Sequence, residues 1–406
     1  MENYICYYEL LDGCYRIINS KTEIIETVER LPWDISTFFL TKPYEATSED
    51  LLRYCKDIFI ASEQLKTNKL LNNFDYIQPF LKRDGTFKYQ THGINIERLF
   101  KMTCKGKYED HEPITPVEAS YFDRSNNGGL TYCCEEGTYN CFGYDFSNYY
   151  ASILASTEFI IPFKEGKECH MNILPPKIKF GFYNINITSN DARFNKIFAF
   201  SEHNIYTSYD IRFCLELIKK YNFEIKMELN QTIHNNAYIY KLDIQTSGHK
   251  IFDRWYNTIL VLKKEYPKNI LIKMMSSSLW GHLQTSNTKN LPEEEGEKLD
   301  IGMSGNEDYH IVNYVYKEDG KSYYKLRDNK KPYKYNIRLK PFITAMGRIK
   351  TAKVALMNID KVIRIHTDGI VFSEPQEFYI NNFIPESKTT GLIHFKNVNN
   401  YQRVDS

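Results

Sequence analysis

Two aspartates, each placed where a short apolar strand ends, constrain the fold of this chain more than any other feature. Asp145 closes the segment CFGYD and is followed by a helix-like segment, FSNYYASILAS. Asp368 lies in the predicted turn of a hairpin, KVIRIHTDGIVF, between two strands rich in β-branched residues. Taken singly, each aspartate is more often a helix cap or a turn residue than a ligand. As a pair on neighbouring strands, they would suit a hard cation such as Mg²⁺.

The other elements are predicted from hydrophobic periodicity and from turn residues. Residues 1–60 are predicted to form a few strands and then a helix near Thr47–Thr67. Helices are predicted over 210–220, over 252–281 with a corner at Pro267, and over 342–357. Loops are predicted over the polar residues 85–115 and the acidic residues 286–301. A hairpin is predicted over 310–327, with its turn at Asp319-Gly320.

Composition narrows the class of protein. The chain has 406 residues and a formal net charge of +1, so no basic excess marks it as a nucleic-acid binder. Nine cysteines are scattered without a CxxC pair, which is typical of a reducing compartment and argues against a disulfide framework or a zinc site. No apolar run approaches the ~20 residues that span a bilayer. These observations predict an intracellular protein that does not enter a membrane.

Four short motifs follow one another along the chain. They are SNNGGLTY at 125–132, DFSNYYASIL at 145–154, KMMSSSLWG at 273–281 and HTDG at 366–369. In this order they resemble the Tyr-x-Gly-Gly linker and the three polymerase motifs of family B DNA polymerases. The hairpin at 310–327 and the helix after it resemble elements of the short, protein-primed, phage-like branch of that family. The resemblance covers most of residues 30–397.

The match to each motif is partial. The positions that agree with the family are Asp145, Tyr150, Ser152, Lys273, Ser278, Gly281, Thr367 and Asp368. The positions that depart from it are Asn148, Tyr149, Ala151, Ser277, Trp280, His366 and Gly369. His366 stands where the family has a further aspartate, and Ser277 stands where it has an asparagine. By this resemblance, the first change would alter the charge beside the metal site and the second would remove an amide donor near the primer.

The resemblance implies an α+β fold with a polymerase palm. Its antiparallel sheet would carry Asp145 and Asp368 on adjacent strands, beside helical fingers, an N-terminal exonuclease-like remnant and a thumb that is largely missing. The domain boundaries it implies are 1–115 for the exonuclease remnant and linker, 116–204 for the first part of the palm, 205–285 for the fingers, 286–340 for a β-hairpin insertion, and 341–406 for the second part of the palm with the start of the thumb.

The same resemblance implies site residues and a cofactor. Asp145 and Asp368 would be the catalytic residues and would bind two Mg²⁺ ions, with Mn²⁺ as a substitute, and the backbone of Phe146 would join the metal site. The implied nucleotide-binding residues are Lys273, Tyr150, Ser147, Asn148, Tyr149, Lys263 and Lys264. The implied DNA-binding residues are Ser277, Gly281, Gly128, Gly129, Thr367 and His366.

Individual roles follow from the same motifs. Lys273 would contact the triphosphate as a point charge. Tyr150 would stack under the deoxyribose and exclude a 2′ hydroxyl by its volume, although plain core packing also explains a tyrosine there. Lys263 and Lys264 fit a solvated helix face as well as they fit phosphate contacts.

The implied function is template-directed extension of a primer with dNTPs, in viral or mobile-element DNA replication. The partners would be primer–template DNA and dNTPs, with a terminal protein primer or a second polypeptide supplying a thumb or an exonuclease. Residues 1–30 contain no Asp-x-Glu pair, so no proofreading exonuclease is expected. One alternative is a catalytically inactive, polymerase-like DNA-binding or scaffold subunit of a replication complex. The other is an unrelated soluble enzyme whose motifs match by chance.

Overall fold

The computed structural model describes residues 5–9, 15–19, 25–28, 37–39, 80–81, 87–88, 92–104, 106–108, 110–125, 127–265, 270–293, 295, 308–316, 322–377, 380 and 382–404. The predicted helix near Thr47–Thr67, the corner at Pro267 and the turn at Asp319-Gly320 lie outside these residues. The chain divides into two compact units. The smaller unit contains Met1–Gly106 and Phe252–His282, and the larger unit contains Lys107–Ile251 and Leu283–Ser406.

The helices and strands are numbered in chain order. The strands are β1 (Ile5–Glu9), β2 (Tyr15–Asn19), β3 (Ile25–Val28), β4 (Thr37–Phe39), β5 (Phe80–Leu81), β6 (Phe87–Lys88), β7 (Thr131–Cys133), β8 (Gly137–Phe146), β9 (Ile160–Pro162), β10 (Lys167–Cys169), β11 (Gly181–Ser189), β12 (Ile205–Thr207), β13 (Ile225–Leu229), β14 (Ala237–Ile239), β15 (Gln245–Ser247), β16 (Thr288–Pro292), β17 (Tyr309–Tyr316), β18 (Ser322–Asp328), β19 (Val362–His366), β20 (Gly369–Phe372), β21 (Phe383–Phe395) and β22 (Tyr401–Arg403). The helices are α1 (His92–Cys104), α2 (Pro116–Arg124), α3 (Tyr149–Leu154), α4 (Ala192–Ile197), α5 (Ser208–Tyr221), α6 (Gly248–Glu265), α7 (Ile270–Leu283) and α8 (Lys340–Leu356). Short 3-10 turns occupy Leu242–Ile244 and Ile359–Lys361.

An antiparallel sheet of six strands lies in the larger unit, in the order β22-β21-β8-β20-β19-β7. Strand β8 lies between β21 and β20, so residues distant in the chain become neighbours at its end. The predicted hairpin over 361–372 is confirmed as β19 and β20. β-branched and aromatic side chains favour these strands because they pack well on a pleated surface. The buried core on this sheet is formed by Cys141, Ile363, Val371, Ile393 and Phe395.

A second sheet of the larger unit has the order β10-β14-β11-β12, and β13 pairs with the far part of β11. Aromatic rings bind helix α8 to this sheet. The ring centroid of Phe342 lies 4.5 Å from that of Phe180 and 4.9 Å from that of Phe182. Because large rings bury much apolar area and prefer offset or tilted contacts, this cluster holds the start of α8 in place.

Helix α8 packs against α3, α4 and α5 and also contacts β20 and β12. Pro341 lies in its first turn, where the fixed φ of proline suits the helix and the missing N–H costs nothing. Small buried residues, Ala345, Ala352 and Ala355, allow neighbouring elements to approach closely. The helix predicted over 342–357 and the one predicted over 210–220 are both confirmed, as α8 and α5.

The loop predicted over 85–115 is wrong for residues 92–104, which form α1. Its buried side chains, which include Ile96, Leu99, Phe100 and Cys104, follow the spacing of one helix face. The ring of Phe100 stacks on that of Phe252, with centroids 5.6 Å apart. The apolar face of α1 is therefore completed by a residue that is distant in the sequence, and a local reading of a polar segment misses it.

The loop predicted over 286–301 is wrong for Thr288–Pro292, which form β16. This strand pairs antiparallel with β18, and Leu291 lies opposite Tyr324. The segment has no clean apolar alternation of its own. It is extended because the β17–β18 hairpin offers an edge with free backbone groups, and pairing satisfies them.

The predicted domain boundaries stay predictions. Residues 205–251 of the predicted fingers group with the larger unit, whereas Phe252–His282 group with the smaller unit. Among the helices of the described residues, none combines the length and the apolar character needed to cross a membrane.

Candidate active site

The larger unit brings Asp145 and Asp368 together at one end of the six-stranded sheet. Asp145 is the last residue but one of β8, and it pairs with Gly369, the first residue of β20. Asp368 immediately precedes Gly369, and its carbonyl oxygen accepts a hydrogen bond of 3.1 Å from the backbone nitrogen of Phe146. A Cβ atom on Gly369 would lie 3.8 Å from Oδ1 of Asp145. The two carboxylates predicted to form a pair therefore sit on adjoining segments of backbone.

The turn that carries Asp368 is held from two sides. Thr367 has a φ of 60°, which is unfavourable for a β-branched residue, so its surroundings must hold it there. Its backbone nitrogen donates to the carbonyl of Leu130 at 2.8 Å, and its carbonyl accepts from Oγ1 of Thr351 in α8 at 2.6 Å. Gly129 leaves room for the Thr367 side chain, since a Cβ there would meet Oγ1 at 2.6 Å.

The chain changes from strand to helix within two residues after Phe146. Asn148 adopts the left-handed conformation, with a φ of 54°, which asparagine tolerates better than most residues do. Its carbonyl then accepts the first helical bond from the nitrogen of Ser152, at 2.8 Å. The nitrogen of Ser147 donates to the carbonyl of Asn382 at 2.7 Å. Backbone hydrogen bonds thus hold the chain both before and after the start of α3.

The two tyrosines of this helix occupy different places. Tyr149 is buried, and its hydroxyl bonds to the carbonyl of Gly347 and to Oγ1 of Thr351. Burial, together with the negative charge of Asp368, raises the pKa of Tyr150 to about 12, and the positive charge of Arg348 opposes the shift. Tyr150 is therefore a neutral phenol within electrostatic reach of Asp368. Gly347 leaves room for both rings, since a Cβ there would lie 3.1 Å from Cε1 of Tyr150 and 3.3 Å from Cε1 of Tyr149.

Arg348 of α8 links the backbone at Gly128 to helix α5. It is 3% exposed, donates from Nη1 to the carbonyl of Gly128 at 2.8 Å and pairs with Oδ1 of Asp210 at 2.9 Å. Asp210 also closes the N-terminal cap of α5, accepting from the nitrogen and hydroxyl of Thr207. The sequence motifs did not indicate Arg348, Asp210 or Thr351. The signal was available, since Arg348 and Thr351 are polar residues on the otherwise apolar face of the segment PFITAMGRIKTAKVAL.

His366 is the last residue of β19. It lies opposite Thr131 of β7 and opposite Gly369 of β20 in the register of the sheet, and it is partly buried. Its position next to the Thr367 turn places an imidazole, and not a carboxylate, before the turn that carries Asp368.

Other predicted nucleotide- and DNA-contacting residues belong to the smaller unit. Burial and the like charge of Lys273 lower the pKa of Lys263, so these two ammonium groups on α6 and α7 lie within electrostatic reach of each other. Lys273 and Lys264 are exposed. Oγ of Ser277 donates to the carbonyl of Lys273 at 3.1 Å, one helical turn back, and Gly281 is exposed with open space at its Cβ position.

The donor set at Asp145 and Asp368 consists of carboxylate oxygens. Within the described residues, no group of three or more His, Cys, Asp or Glu side chains is placed to hold a metal ion. Mg²⁺ often takes only one or two carboxylates and completes its coordination with water and substrate phosphates. Two aspartates on adjoining backbone segments fit that mode of binding.

No family profile matches the chain, and no curated protein matches it by sequence. Solved structures do match its fold. Phi29 DNA polymerase in its complex with primer-template DNA has a TM-score of 0.57 and 12% identity, covering 99% of this chain and 87% of that one. Its complex with single-stranded DNA has a TM-score of 0.55 and 13% identity, covering 98% and 85%.

The ternary complex of Phi29 DNA polymerase with primer-template DNA and incoming nucleotide substrates has a TM-score of 0.52 and 16% identity. That match covers 77% of this chain and 56% of the polymerase chain, so the chain spans little more than half of that structure. At these identities the similarity concerns the fold. The chain has a polymerase-like fold of mixed helices and antiparallel sheet.

Proposed function

We propose that this chain is the core of a template-directed DNA polymerase, adding dNTPs to the 3′ hydroxyl of a primer in the replication of a virus or mobile element. The observation that carries the proposal is the pairing of Asp145 with Gly369, which sets the Asp145 carboxylate beside Asp368. The similarity of the fold to Phi29 DNA polymerase supports the same reading. Proofreading is not part of the proposal.

Asp145 and Asp368 would hold the divalent ions, and the backbone carbonyl of Phe146 would add an oxygen to the set. When bound, two Mg²⁺ ions would lower the pKa of the primer hydroxyl and stabilise the charge on the leaving pyrophosphate. Tyr150, whose ring packs close to Gly347 of α8, would set the position of the sugar. Lys273, an exposed cation on α7, would contact the triphosphate.

The deciding experiment is single-nucleotide extension of a labelled primer–template by the purified full chain, with Mg²⁺ or Mn²⁺. Asp145→Asn and Asp368→Asn remove one carboxylate each and keep the side-chain volume. Each should lower the extension rate by at least about a hundredfold, because charge stabilisation in the transition state is lost. Asp360→Asn is the matched control, since Asp360 is an exposed aspartate of the Ile359–Lys361 turn.

Extension that survives both substitutions would refute the assigned metal ligands. Measurable excision of a mismatched primer terminus would refute the absence of proofreading. In each case the variant must melt at the temperature of the unchanged chain, so that a loss of fold is not taken for a loss of chemistry.

A second candidate function is a catalytically inactive, polymerase-like subunit that binds DNA or serves as a scaffold. It is favoured by His366, which puts an imidazole beside the Thr367 turn where the family motif has an aspartate. A cationic imidazole would oppose the binding of divalent ions. Duplex DNA binding by the unchanged chain without any metal-dependent incorporation would favour this candidate.

A further inference from the structure

Lys350 of α8 contacts the segment that follows Asp145. Its Nζ donates to Oγ of Ser152 at 3.2 Å. The same ammonium lies 4.6 Å from the ring centroid of Phe146 and 5.4 Å from that of Tyr149. A cation over aromatic faces is attracted by the ring quadrupole, so these contacts hold Lys350 in one place.

The charge of Lys350 is not neutralised by an ion pair within the described part of the chain. Its side chain is half-buried, and no carboxylate of the described residues forms an ion pair with it. Lys353, one turn further along α8, differs because it pairs with Glu216 at 2.9 Å. An ammonium has three N–H donors, and the contact with Ser152 uses one of them. Lys350 is therefore a partly desolvated cation with donors available to an anion.

A cavity of about 470 Å³ opens beside this ammonium, between α3, α5 and α8. Much of its wall is apolar and comes from Ile153, Tyr209, Phe213, Met346 and Ile349. A cavity of this volume with a largely apolar surface is typical of small-molecule sites. The polar part of its lining comes from Ser152, Ser156 and five charged residues, Glu158, Arg212, Glu216, Lys350 and Lys353.

Most of the other charged side chains in the cavity wall have hydrogen-bond or ion-pair partners of their own. Glu216 accepts from Lys220 and Lys353, so its charge is compensated. Glu158 is exposed and remains hydrated at the cavity wall. Arg212 donates to the carbonyl of Ile178 at 2.7 Å and adds a second cation to the lining. The lining therefore combines apolar side chains with three cations and two carboxylates, and Lys350 is the cation among them that has no ion-pair or carbonyl partner within the described residues.

We propose that this cavity binds a small amphipathic anion, with one carboxylate on an apolar or aromatic body and with Lys350 as the residue that recognises the charge. The apolar body would lie against Ile153, Met346 and Ile349, and the carboxylate would accept from the two remaining N–H groups of Lys350. The site is distinct from the Asp145–Asp368 pair and does not depend on polymerase activity. Lys350 contacts Ser152 and Phe146, which lie on either side of Tyr150 in the chain. An occupant bound to Lys350 would therefore lie next to the segment that carries Tyr150.

The test uses two probes of the same shape, 4-phenylbutyrate and 4-phenylbutyramide, which differ in charge. Their binding to the purified full chain is measured by calorimetry or by ligand-observed NMR. The carboxylate should bind about tenfold more tightly than the amide, since a charge-assisted hydrogen bond to a partly buried cation is stronger than a neutral one. Lys350→Met should reduce that ratio to about one, because the charge is lost and the apolar wall remains.

Two controls make the result specific. Lys350→Arg keeps a cation and should keep most of the preference for the carboxylate. Lys361→Met removes an exposed lysine that pairs with Glu374 away from the cavity, and it should leave both affinities unchanged. The proposal is overturned if neither probe binds, or if Lys350→Met leaves the ratio as it was. The readout is binding alone, so its failure is separate from a failure of primer extension.

Discussion

The backbone nitrogen of Phe146 donates a hydrogen bond of 3.1 Å to the carbonyl oxygen of Asp368. This bond continues the β8–β20 ladder one step beyond the pair formed by Asp145 and Gly369. The two aspartates are thus placed by backbone pairing. Replacing either carboxylate by an amide should leave the fold intact, which makes the asparagine variants a clean test of chemistry.

Gly129 should not tolerate a side chain. A Cβ there would lie 2.6 Å from Oγ1 of Thr367, so Gly129→Ala must displace the turn that carries Asp368. We expect a loss of about 1–3 kcal/mol in the free energy of unfolding, as for other overpacked sites. Urea denaturation measures it. Gly281→Ala is the control, because Gly281 has open space at its Cβ position in α7 and should be neutral or slightly stabilising.

The same clash predicts coupling between two positions. Thr367→Ala removes Oγ1 and Cγ2, which are the two closest atoms to the added methyl group. The double variant Gly129→Ala/Thr367→Ala should therefore lose less stability than the sum of the single losses. Strict additivity would show that the cost at Gly129 has another origin.

The buried pair of Asp210 and Arg348 should be costly to break from one side. Both side chains are 4% exposed, and Asp210→Asn leaves a buried guanidinium without its counter-charge. We expect a loss of about 3–5 kcal/mol in the free energy of unfolding. The exposed pair of Lys226 and Glu228, 2.8 Å apart, is the control, and Glu228→Gln should cost less than about 1 kcal/mol. Equal effects of the two substitutions would contradict the difference in burial.

Tyr150 should control the choice between deoxyribonucleotides and ribonucleotides if the chain polymerises DNA. Its ring packs close to Gly347 of α8, where an added Cβ would lie 3.1 Å from Cε1, so α8 limits its movement on that side. Tyr150→Val should raise the ratio of ribonucleotide to deoxyribonucleotide incorporation roughly tenfold or more. Tyr150→Phe keeps the ring and should leave that ratio near its original value. Single-nucleotide kinetics with matched dNTP and rNTP decide between ring volume and plain core packing.

His111 should make the stability of the chain depend on pH. It is 6% exposed, and burial together with the nearby charge of Arg338 lowers its pKa to about 4 from 6.5. Between pH 4 and pH 6.5 the unfolded chain therefore binds more protons than the folded chain. The contribution of neutral His111 to the free energy of unfolding is complete above about pH 6.5 and is lost as the pH falls towards 4. The difference amounts to about 3 kcal/mol at most.

The measurement compares urea unfolding of the unchanged chain and of His111→Gln between pH 4 and 7. The variant should lose the part of the slope that His111 contributes, whereas common carboxylate effects cancel in the difference. His203→Gln, at an exposed histidine, is the control for the substitution itself. Parallel curves for the unchanged chain and His111→Gln would rule out His111 as the source.

Local periodicity predicted the elements whose stabilising contacts lie close in the chain. Helix α5 begins with a capping box between Thr207 and Asp210, and the hairpin β19–β20 closes over a turn of two residues. Such elements follow from neighbouring residue types, so a sequence shows them directly. Helix α1 and strand β16 were predicted as loops because their stabilising contacts are distant in the chain. Phe252 completes the apolar face of α1, and β16 is extended because it pairs with β18.

The candidate site divides in the same way. The sequence by itself determined that Asp145 ends a strand next to a helix and that Asp368 occupies a hairpin turn. The family resemblance added the expectation that the two aspartates lie on adjacent strands. Only the tertiary structure decided the register that sets Asp145 opposite Gly369, the room that Gly129 leaves for Thr367, and the cavity lined by Lys350. The physical reason is that strand order and the packing of α8 depend on contacts between distant residues, and local sequence patterns do not encode which distant partner is chosen.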